Sequence, residues 1–149
     1  MKNVGFIGVG YMGYGIAKNI LKNKNNLFVI ANKNRSPIEK IVNEGAVEVK
    51  SYDELCSKNL DCLFLCVTNT PIAHSIIEKI SPLLNSDTLI IDITTHNQNG
   101  SIEANKIFKS KNKGIAISAA IGSWIYLSNW SYQSGQLDRY RRRNRKSIR

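Results

Sequence analysis

The residues with the clearest chemical potential lie near the start of the chain, where three glycines are spaced as in a phosphate-binding turn. Gly8, Gly10 and Gly13 follow the apolar run Val4–Ile7 and fit the pattern G-x-G-x-x-G, and apolar residues then recur at helical spacing. In a strand–turn–helix unit the first glycine permits the turn, the second lets the backbone approach a pyrophosphate, and the third lets helix and strand pack closely. The helix N-terminus adds free N–H groups for the phosphates. The sequence therefore predicts a dinucleotide site, with a purely structural turn as the alternative.

The residues after the second predicted strand indicate which dinucleotide would bind. Leu27–Ala31 is followed by Asn32, Lys33 and Arg35, and no carboxylate occurs before Glu39. Enzymes that bind NAD through such a strand–turn–helix unit carry an acid at the end of the second strand, where it binds the ribose 2′-hydroxyl. Cations at the same position suit the 2′-phosphate of NADP. The pattern favours NADP over NAD. The alternative is that Lys33 and Arg35 are solvated loop charges.

Other polar residues follow the fifth predicted strand. Thr94 and Thr95 come directly after Asp92, where a hydroxyl could face nicotinamide or substrate, or could cap the next helix. Asp92 is interpreted as fixing the strand end. His74 is interpreted as a surface histidine, and no carboxylate or cysteine at motif spacing marks His96 as a general base. No residue is therefore assigned a catalytic role.

Strands and helices alternate along the chain, which predicts an α/β fold. The predicted strands are Val4–Ile7, Leu27–Ala31, Ala46–Val49, Leu60–Val67, Thr88–Asp92 and Gly114–Ser118. The predicted helices cover about 11–22, 36–44, a short segment from 51, 70–80 and 102–108. This order predicts a Rossmann-type, doubly wound parallel sheet in a single domain, with ligands at the carboxyl ends of the strands.

The expected helix starts carry recognisable capping residues. Ser36 with Glu39, and Ser51 with Glu54, fit the capping-box pattern. Thr70, which precedes a proline, is predicted to cap the helix that follows. These patterns set the expected first turns of three helices.

Charge and cysteine content restrict the setting of the protein. The chain of 149 residues has a net charge of +10, but residues 136–149 alone hold seven basic residues and one acid. The remaining body shows no basic stripe or aromatic platform, which argues against nucleic acid as its native partner.

The spacing of Cys56, Cys62 and Cys66 fits neither a zinc ribbon nor a redox pair. We therefore expect no metal, and we expect the thiols of Cys62 and Cys66 to be buried in a strand. Three cysteines without a disulfide framework also indicate a reducing, cytoplasmic setting. No apolar stretch is long enough to predict a membrane span.

Several motifs in order resemble the N-terminal domain of the β-hydroxyacid dehydrogenases, a family that includes 3-hydroxyisobutyrate dehydrogenase and tartronate semialdehyde reductase. The matching stretches are Gly5–Gly13, Asn34–Ser36, Asp61–Cys66, Asn69–Pro71 and Leu89–Thr95. The resemblance covers about residues 1–118. It implies NAD(P)-dependent interconversion of a β-hydroxyacid and its semialdehyde by hydride transfer.

The resemblance also implies roles for individual residues. With the charge argument above, the expected cofactor-binding set is Gly8, Gly10, Tyr11, Met12, Gly13, Asn32, Lys33, Arg35, Val67, Thr68 and Thr95. Thr94 and Gly122 are the expected substrate-binding residues. Val67 and Thr68 depart from the Leu-Pro pair usual in the family, and the segment around Gly122 lacks the family's acid and proline. The family's catalytic lysine belongs to a second, helical domain, so no lysine here is assigned that role.

The segment 119–149 is expected to be an irregular basic tail. Leu137–Arg143 can be encoded by bases that, read one position later, give Leu-Ile-Ala-Ile-Val-Gly-Gly, which is similar to a run in family members. A reading-frame slip after about residue 120 is therefore expected, and an oligomer interface is expected to be absent from this chain. The alternative function is a non-catalytic dinucleotide-binding module whose basic tail binds polyanions.

Overall fold

The six strands in the described part of the chain lie side by side in one parallel sheet. The computed structural model describes residues 1–31, 34–111 and 115–118. The strands are β1 (Asn3–Ile7), β2 (Asn26–Ile30), β3 (Val47–Val49), β4 (Cys62–Leu65), β5 (Leu89–Asp92) and β6 (Ile115–Ser118). The helices are α1 (Tyr11–Lys22), α2 (Ser36–Asn43), α3 (Tyr52–Cys56), α4 (Thr70–Ile80) and α5 (Gln98–Lys111).

The strand order is β3-β2-β1-β4-β5-β6, and each neighbouring pair is parallel. This order confirms the predicted Rossmann-type doubly wound sheet. The direction of strand progression reverses between β1 and β4. Such a reversal leaves a crevice at the carboxyl ends of the two strands, because the chain leaves them toward opposite faces of the sheet.

Apolar side chains cover both faces of the sheet, as an all-parallel sheet requires. On β1, Phe6 belongs to the core that contains Ala17 of α1 and Ile41 of α2. Ile7, the next residue, belongs to the opposite core with Ile77 of α4. Since successive residues of a strand point to opposite faces, one short apolar run supplies both cores. The glycine turn that follows β1 therefore starts from a rigid base.

The two predicted capping boxes have different outcomes. At α3 the predicted cap by Ser51 is confirmed, because its hydroxyl accepts from the Glu54 amide at 3.1 Å. The Glu54 carboxylate accepts from the Lys50 amide at 2.8 Å, one residue before the amide that a capping box uses. At α2 the prediction is wrong, because Ser36 is already the first helical residue and its side chain caps nothing. Instead the Asn34 side-chain oxygen accepts from the Ser36 amide at 3.2 Å. Glu39 lies 3.6 Å from the Arg35 guanidinium and so forms an ion pair in place of the expected cap.

The cap of α4 also differs from the prediction. Asn69 is its N-cap, and its side-chain oxygen accepts from the Ile72 amide at 3.1 Å. Thr70, one residue later, lies within the helix and its hydroxyl bonds to His96. Either residue type can cap a helix, so the pattern alone could not choose between two neighbours.

Helix α5 begins four residues before the predicted start at Ile102. Its first turn is polar, which hides it from an apolar periodicity. The Asn97 side-chain oxygen accepts from the Gly100 amide at 2.8 Å, so neither Thr94 nor Thr95 caps this helix.

The three cysteines are free thiols. Cys62 lies in β4 and Cys66 directly after it, both half-buried, and Cys56 in α3 is buried. Burial raises the pKa of Cys56 and of Cys62 to about 11. Both groups therefore stay protonated near neutral pH. Within the described part of the chain, no helix is long and apolar enough to cross a membrane.

Candidate dinucleotide-binding site

Four strands end in one row at the carboxyl edge of the sheet. Ile7 of β1 is in register with Ile30 of β2 and with Leu65 of β4, and Leu65 is in register with Asp92 of β5. The loops that follow these strands therefore begin side by side. The predicted site residues are distributed over these loops and the start of α1.

The turn after β1 lies directly against the end of β4. Gly8 has a φ of +97°, which side-chain-bearing residues rarely adopt, and a Cβ at this position would lie 2.0 Å from the Cys66 carbonyl oxygen. The Gly8 carbonyl accepts from the Gly10 amide at 2.8 Å, which closes the turn. Only glycine fits here, because both the backbone conformation and the available space exclude a side chain.

The other two glycines have the properties that the pattern predicts. A Cβ on Gly13 would lie 2.3 Å from the Gly8 carbonyl oxygen, so the absence of a side chain lets α1 approach the turn. A Cβ on Gly10 would meet nothing within 4 Å, so the backbone there faces open space. Gly10 is the N-cap of α1, no side chain caps the helix, and its first turn contains no acid. An uncapped helix N-terminus beside open space suits the pyrophosphate of a dinucleotide.

The two intervening residues are accessible from this side. Tyr11 is fully exposed and Met12 is 55% exposed. Both lie in the first turn of α1, where amide groups have no partner within the helix. Their backbone N–H groups are therefore available to a ligand.

A cleft of about 390 Å³ lies next to the glycine turn. Its walls come from the ends of β1 and β2, from α3 and α4, and from the β4–α4 loop. The lining residues are Ile7, Gly8, Ile30, Ala31, Tyr52, Val67, Pro71, Ile72, Ser75, Ile76 and Lys79. The volume is within the range of small-molecule pockets, and the mostly apolar wall suits a planar base. Of the predicted site residues, Gly8 and Val67 contribute to it.

Arg35 is paired with acids rather than free. Its guanidinium donates two hydrogen bonds to Glu48 of β3, both at 3.1 Å, and lies 3.6 Å from Glu39. The pairing with Glu48 raises the pKa of Arg35. Asn32 and Lys33, the other predicted contacts for the 2′-phosphate, lie outside the described residues.

The predicted residues on the nicotinamide side divide into buried and exposed ones. Thr94 is 3% exposed, and its hydroxyl accepts from the Val67 amide at 3.1 Å. The structure thus brings Val67 and Thr94 together across the ends of β4 and β5. Thr68 and Thr95 are exposed. Gly122 lies outside the described residues.

Behind these loops a chain of hydrogen-bonded side chains, buried at Asp92 and His96 and half-buried at Thr70, links β5, α4 and the loop before α5. His96 Nε2 lies 2.8 Å from Asp92, and His96 Nδ1 lies 2.9 Å from the Thr70 hydroxyl. Asp92 also accepts from the Thr94 amide at 2.9 Å. No carboxylate at motif spacing marks His96 in the sequence, but the structure pairs His96 with Asp92. Asp92 and His96 are both buried, and their four-residue separation in a non-helical segment was not a recognisable signal.

His74 is more enclosed than a surface histidine. It is half-buried, its Nε2 lies 2.9 Å from the Gly100 carbonyl oxygen, and its ring stacks on that of His96 with 6.1 Å between centroids. His74 thus connects α4 with the first turn of α5, and His96 connects α4 with the segment before α5. Across the described ranges, no group of three or more histidine, cysteine or acidic residues could hold a metal ion.

Comparisons with solved structures agree with this arrangement at the level of the fold. A 3-hydroxyisobutyrate dehydrogenase of Mycobacterium tuberculosis aligns with a TM-score of 0.76 and 15% identity, covering 83% of this chain and 41% of the other. An imine reductase from a Pseudomonas species aligns with a TM-score of 0.68 and 20% identity, covering 78% and 40%. A prephenate dehydrogenase of A. aeolicus, solved with hydroxyphenyl propionate and NAD⁺, aligns with a TM-score of 0.65 and 21% identity, covering 79% and 41%.

These neighbours are longer proteins, and this chain spans about two fifths of their length. The comparison with curated protein sequences gave no significant match. The family model described as the NAD-binding domain of 6-phosphogluconate dehydrogenase matches residues 3–120, which include every element of the described fold. The chain therefore belongs to the family of 6-phosphogluconate dehydrogenase NAD-binding domains, and a nicotinamide dinucleotide is the cofactor of that family.

Proposed function

We propose that this chain is the cofactor-binding part of an NADP-preferring oxidoreductase that interconverts a β-hydroxyacid and its semialdehyde. The observation that carries the proposal is the uncapped N-terminus of α1, which adjoins open space at Gly10 and lies beside the cleft. Phosphates would bind the amides of the first turn, and the adenine would enter the cleft. The substrate class rests on the resemblance of the motifs, because fold neighbours of several activities share this architecture.

The preference for NADP rests on the charges near the end of β2. Arg35 follows that strand by a few residues, and no acid occurs between it and Ala31. A guanidinium is the side chain best suited to bidentate binding of a phosphate. The dinucleotide would thus be held at its pyrophosphate by backbone amides and at its 2′-phosphate by a side chain.

The proposed reaction needs an acid that protonates the carbonyl oxygen while hydride leaves the nicotinamide. Among the described residues at the carboxyl edge, His96 is buried and already bonded to Asp92 and Thr70. We therefore assign the edge to binding and orienting the cofactor, and expect the chain to show no turnover by itself. The proposed domain boundary, 1–118, and the proposed reading-frame slip after residue 120 fit this assignment. Sequencing the gene tests the slip, since an immediate stop codon in the shifted frame would exclude it.

The binding proposal is tested by substituting Gly10 with alanine. The side chain would occupy the space offered to the pyrophosphate without contacting the protein, so NADPH binding should weaken by at least about tenfold while the fold persists. Gly15→Ala is the matched control, since a Cβ there also meets nothing within 4 Å but lies one turn further along α1. Calorimetric or fluorescence titration measures binding, and circular dichroism checks the fold.

Equal NADPH binding by both glycine variants would contradict the assigned pyrophosphate position. Absence of NADPH and NADH binding by the unaltered chain at millimolar concentrations would contradict the function as a whole. A separate assay with NADPH and short semialdehydes tests the expected lack of turnover.

A further inference from the structure

Glu48 makes a contact that the local sequence does not reveal. It lies on β3, thirteen residues after Arg35, and its two carboxylate oxygens accept one hydrogen bond each from the Arg35 guanidinium, both at 3.1 Å. A two-point pairing of this kind holds the planar guanidinium in a fixed orientation. The acid that is missing from the loop after β2 is therefore supplied by the neighbouring strand.

The position of Glu48 brings it close to the predicted ribose end of the site. It is in register with Val29 of β2, one residue before Ile30 at the carboxyl end of that strand. Its side chain therefore lies on the face of the sheet opposite to Ile30, so Glu48 is near the carboxyl edge but does not line the cleft. Its side chain is 30% exposed, so a ligand at the edge of the sheet can reach it. Arg35 and Glu48 thus meet where the sequence places the 2′ position of the cofactor.

A 2′-phosphate and the Glu48 carboxylate need the same guanidinium hydrogen-bond donors. When Glu48 occupies two of them, a phosphate must displace a carboxylate or approach beside it, and both cost free energy because the charges have the same sign. A ribose 2′-hydroxyl is neutral and can donate to a carboxylate. The pair therefore disfavours NADP relative to a free arginine and tolerates NAD.

We propose that Glu48 is a cofactor-selectivity residue, which limits the preference for NADP by holding Arg35 in a two-point ion pair. This inference rests on the proposed dinucleotide site and specifies which side chain sets its selectivity. Glu39 is the second acid near Arg35, but it makes a single contact at 3.6 Å and is 63% exposed. Its contribution to selectivity is expected to be smaller.

The test compares NADPH and NADH binding by the unaltered 149-residue chain and by four variants of it. Glu48→Gln keeps the shape of the side chain and removes its charge, and should tighten NADPH binding by about fivefold while NADH changes less than about twofold. Glu103→Gln changes the net charge equally on the exposed surface of α5, and among the described residues Glu103 takes part in no ion pair, so its NADPH to NADH ratio should not move. Arg35→Ala and the double variant Arg35→Ala/Glu48→Gln should have equal ratios, because Glu48 acts through Arg35.

The possible outcomes distinguish the selectivity role of Glu48 from the proposed function. An unchanged ratio in Glu48→Gln, or an equal shift in Glu103→Gln, overturns the inference and leaves the proposed function intact. A shift that persists when Arg35 is alanine shows that Glu48 acts directly on the cofactor and overturns the mechanism. Failure of the unaltered chain to bind either dinucleotide removes the proposed function and this inference together. If Glu48→Gln does not fold, Glu48→Asp, which retains the charge but shortens the reach, should produce a smaller shift in the same direction.

Discussion

At the β1 end of the carboxyl edge the polar groups are backbone amides beside open space, whereas at the β5 end they are buried side chains bonded to one another. The first turn of α1 has no side-chain cap and no acid. By contrast Asp92, Thr94 and His96 are each less than a tenth exposed and each has a partner. Within the described part of the chain, every buried side-chain nitrogen and oxygen atom has a hydrogen-bond partner.

The difference separates binding capacity from structural support. A polar group that already has a partner must give it up before it binds a ligand, and this exchange lowers the affinity gained. Amides at an open helix terminus have only water to lose. This difference supports the proposal that the ligand binds at the β1 end of the edge, while the β5 end stabilises the shape of the edge.

The largest loss of stability is expected where the glycine turn after β1 contacts the end of β4. Gly8→Ala places a methyl group against the Cys66 carbonyl oxygen and forces a side-chain-bearing residue to a φ of +97°. The variant should lose more than about 3 kcal/mol of unfolding free energy, or fail to fold, because neither backbone segment can move away cheaply. Urea denaturation followed by circular dichroism measures the loss.

Gly15→Ala is the matched control for this substitution as well. It lies inside α1 with open space around it, and alanine there should stabilise the chain by about 0.5–1 kcal/mol. If Gly8→Ala were as stable as Gly15→Ala, the close contact between the glycine turn and the end of β4 would be disproved.

A smaller loss is expected from the support network. His96→Ala removes the partners of Thr70 and Asp92 and leaves a buried carboxylate with one fewer donor. The cost should be about 2–3 kcal/mol, since an unsatisfied buried group keeps its full desolvation penalty. His74→Ala, which removes one hydrogen bond and one ring contact of a half-buried side chain, should cost about 1 kcal/mol. Equal thermal denaturation midpoints for the two variants would show that the buried network contributes nothing specific.

The smallest effect on stability is expected from the exposed contact between α1 and the end of α2. There the Tyr14 hydroxyl and the Lys18 ammonium both donate to Glu44, at 2.5 and 2.9 Å, and link α1 to the end of α2. The hydrogen bond from Tyr14, followed by that from Lys18, lowers the pKa of Glu44 in the folded chain. Stability from this group is therefore present above the ordinary carboxyl pKa, near 4.5, and is lost as the pH falls through the lowered value.

Glu44→Gln should remove the part of the stability loss at low pH that comes from protonation of Glu44, and Glu103→Gln should not. Denaturation midpoints between pH 6 and about pH 3 measure this loss of stability. The effect is small because the groups are exposed and solvent screens them. An unchanged pH profile in Glu44→Gln would show that the link between α1 and α2 is absent in solution.

Much of this arrangement could be predicted because it depends on local patterns. The Gly8–Gly13 spacing, the apolar runs of the strands and the capping box at Ser51 each depend on residues close together in the chain. The cap of α2 and the polar first turn of α5 could not be predicted so well. At those points neighbouring residues compete for one role, or no apolar residue marks the boundary.

The sequence by itself determined the fold class, the family and the glycine turn, because strand and helix periodicity and the special conformations of glycine are encoded over a few residues. Only the tertiary structure decided that Glu48 contacts Arg35 and that Asp92, His96 and Thr70 form one hydrogen-bonded chain. These contacts join residues on different elements, and side-chain partners across a parallel sheet depend on strand order and register. In the proposed function, a local motif therefore binds the phosphates of the cofactor, whereas the proposed selectivity of Glu48 depends on a long-range contact.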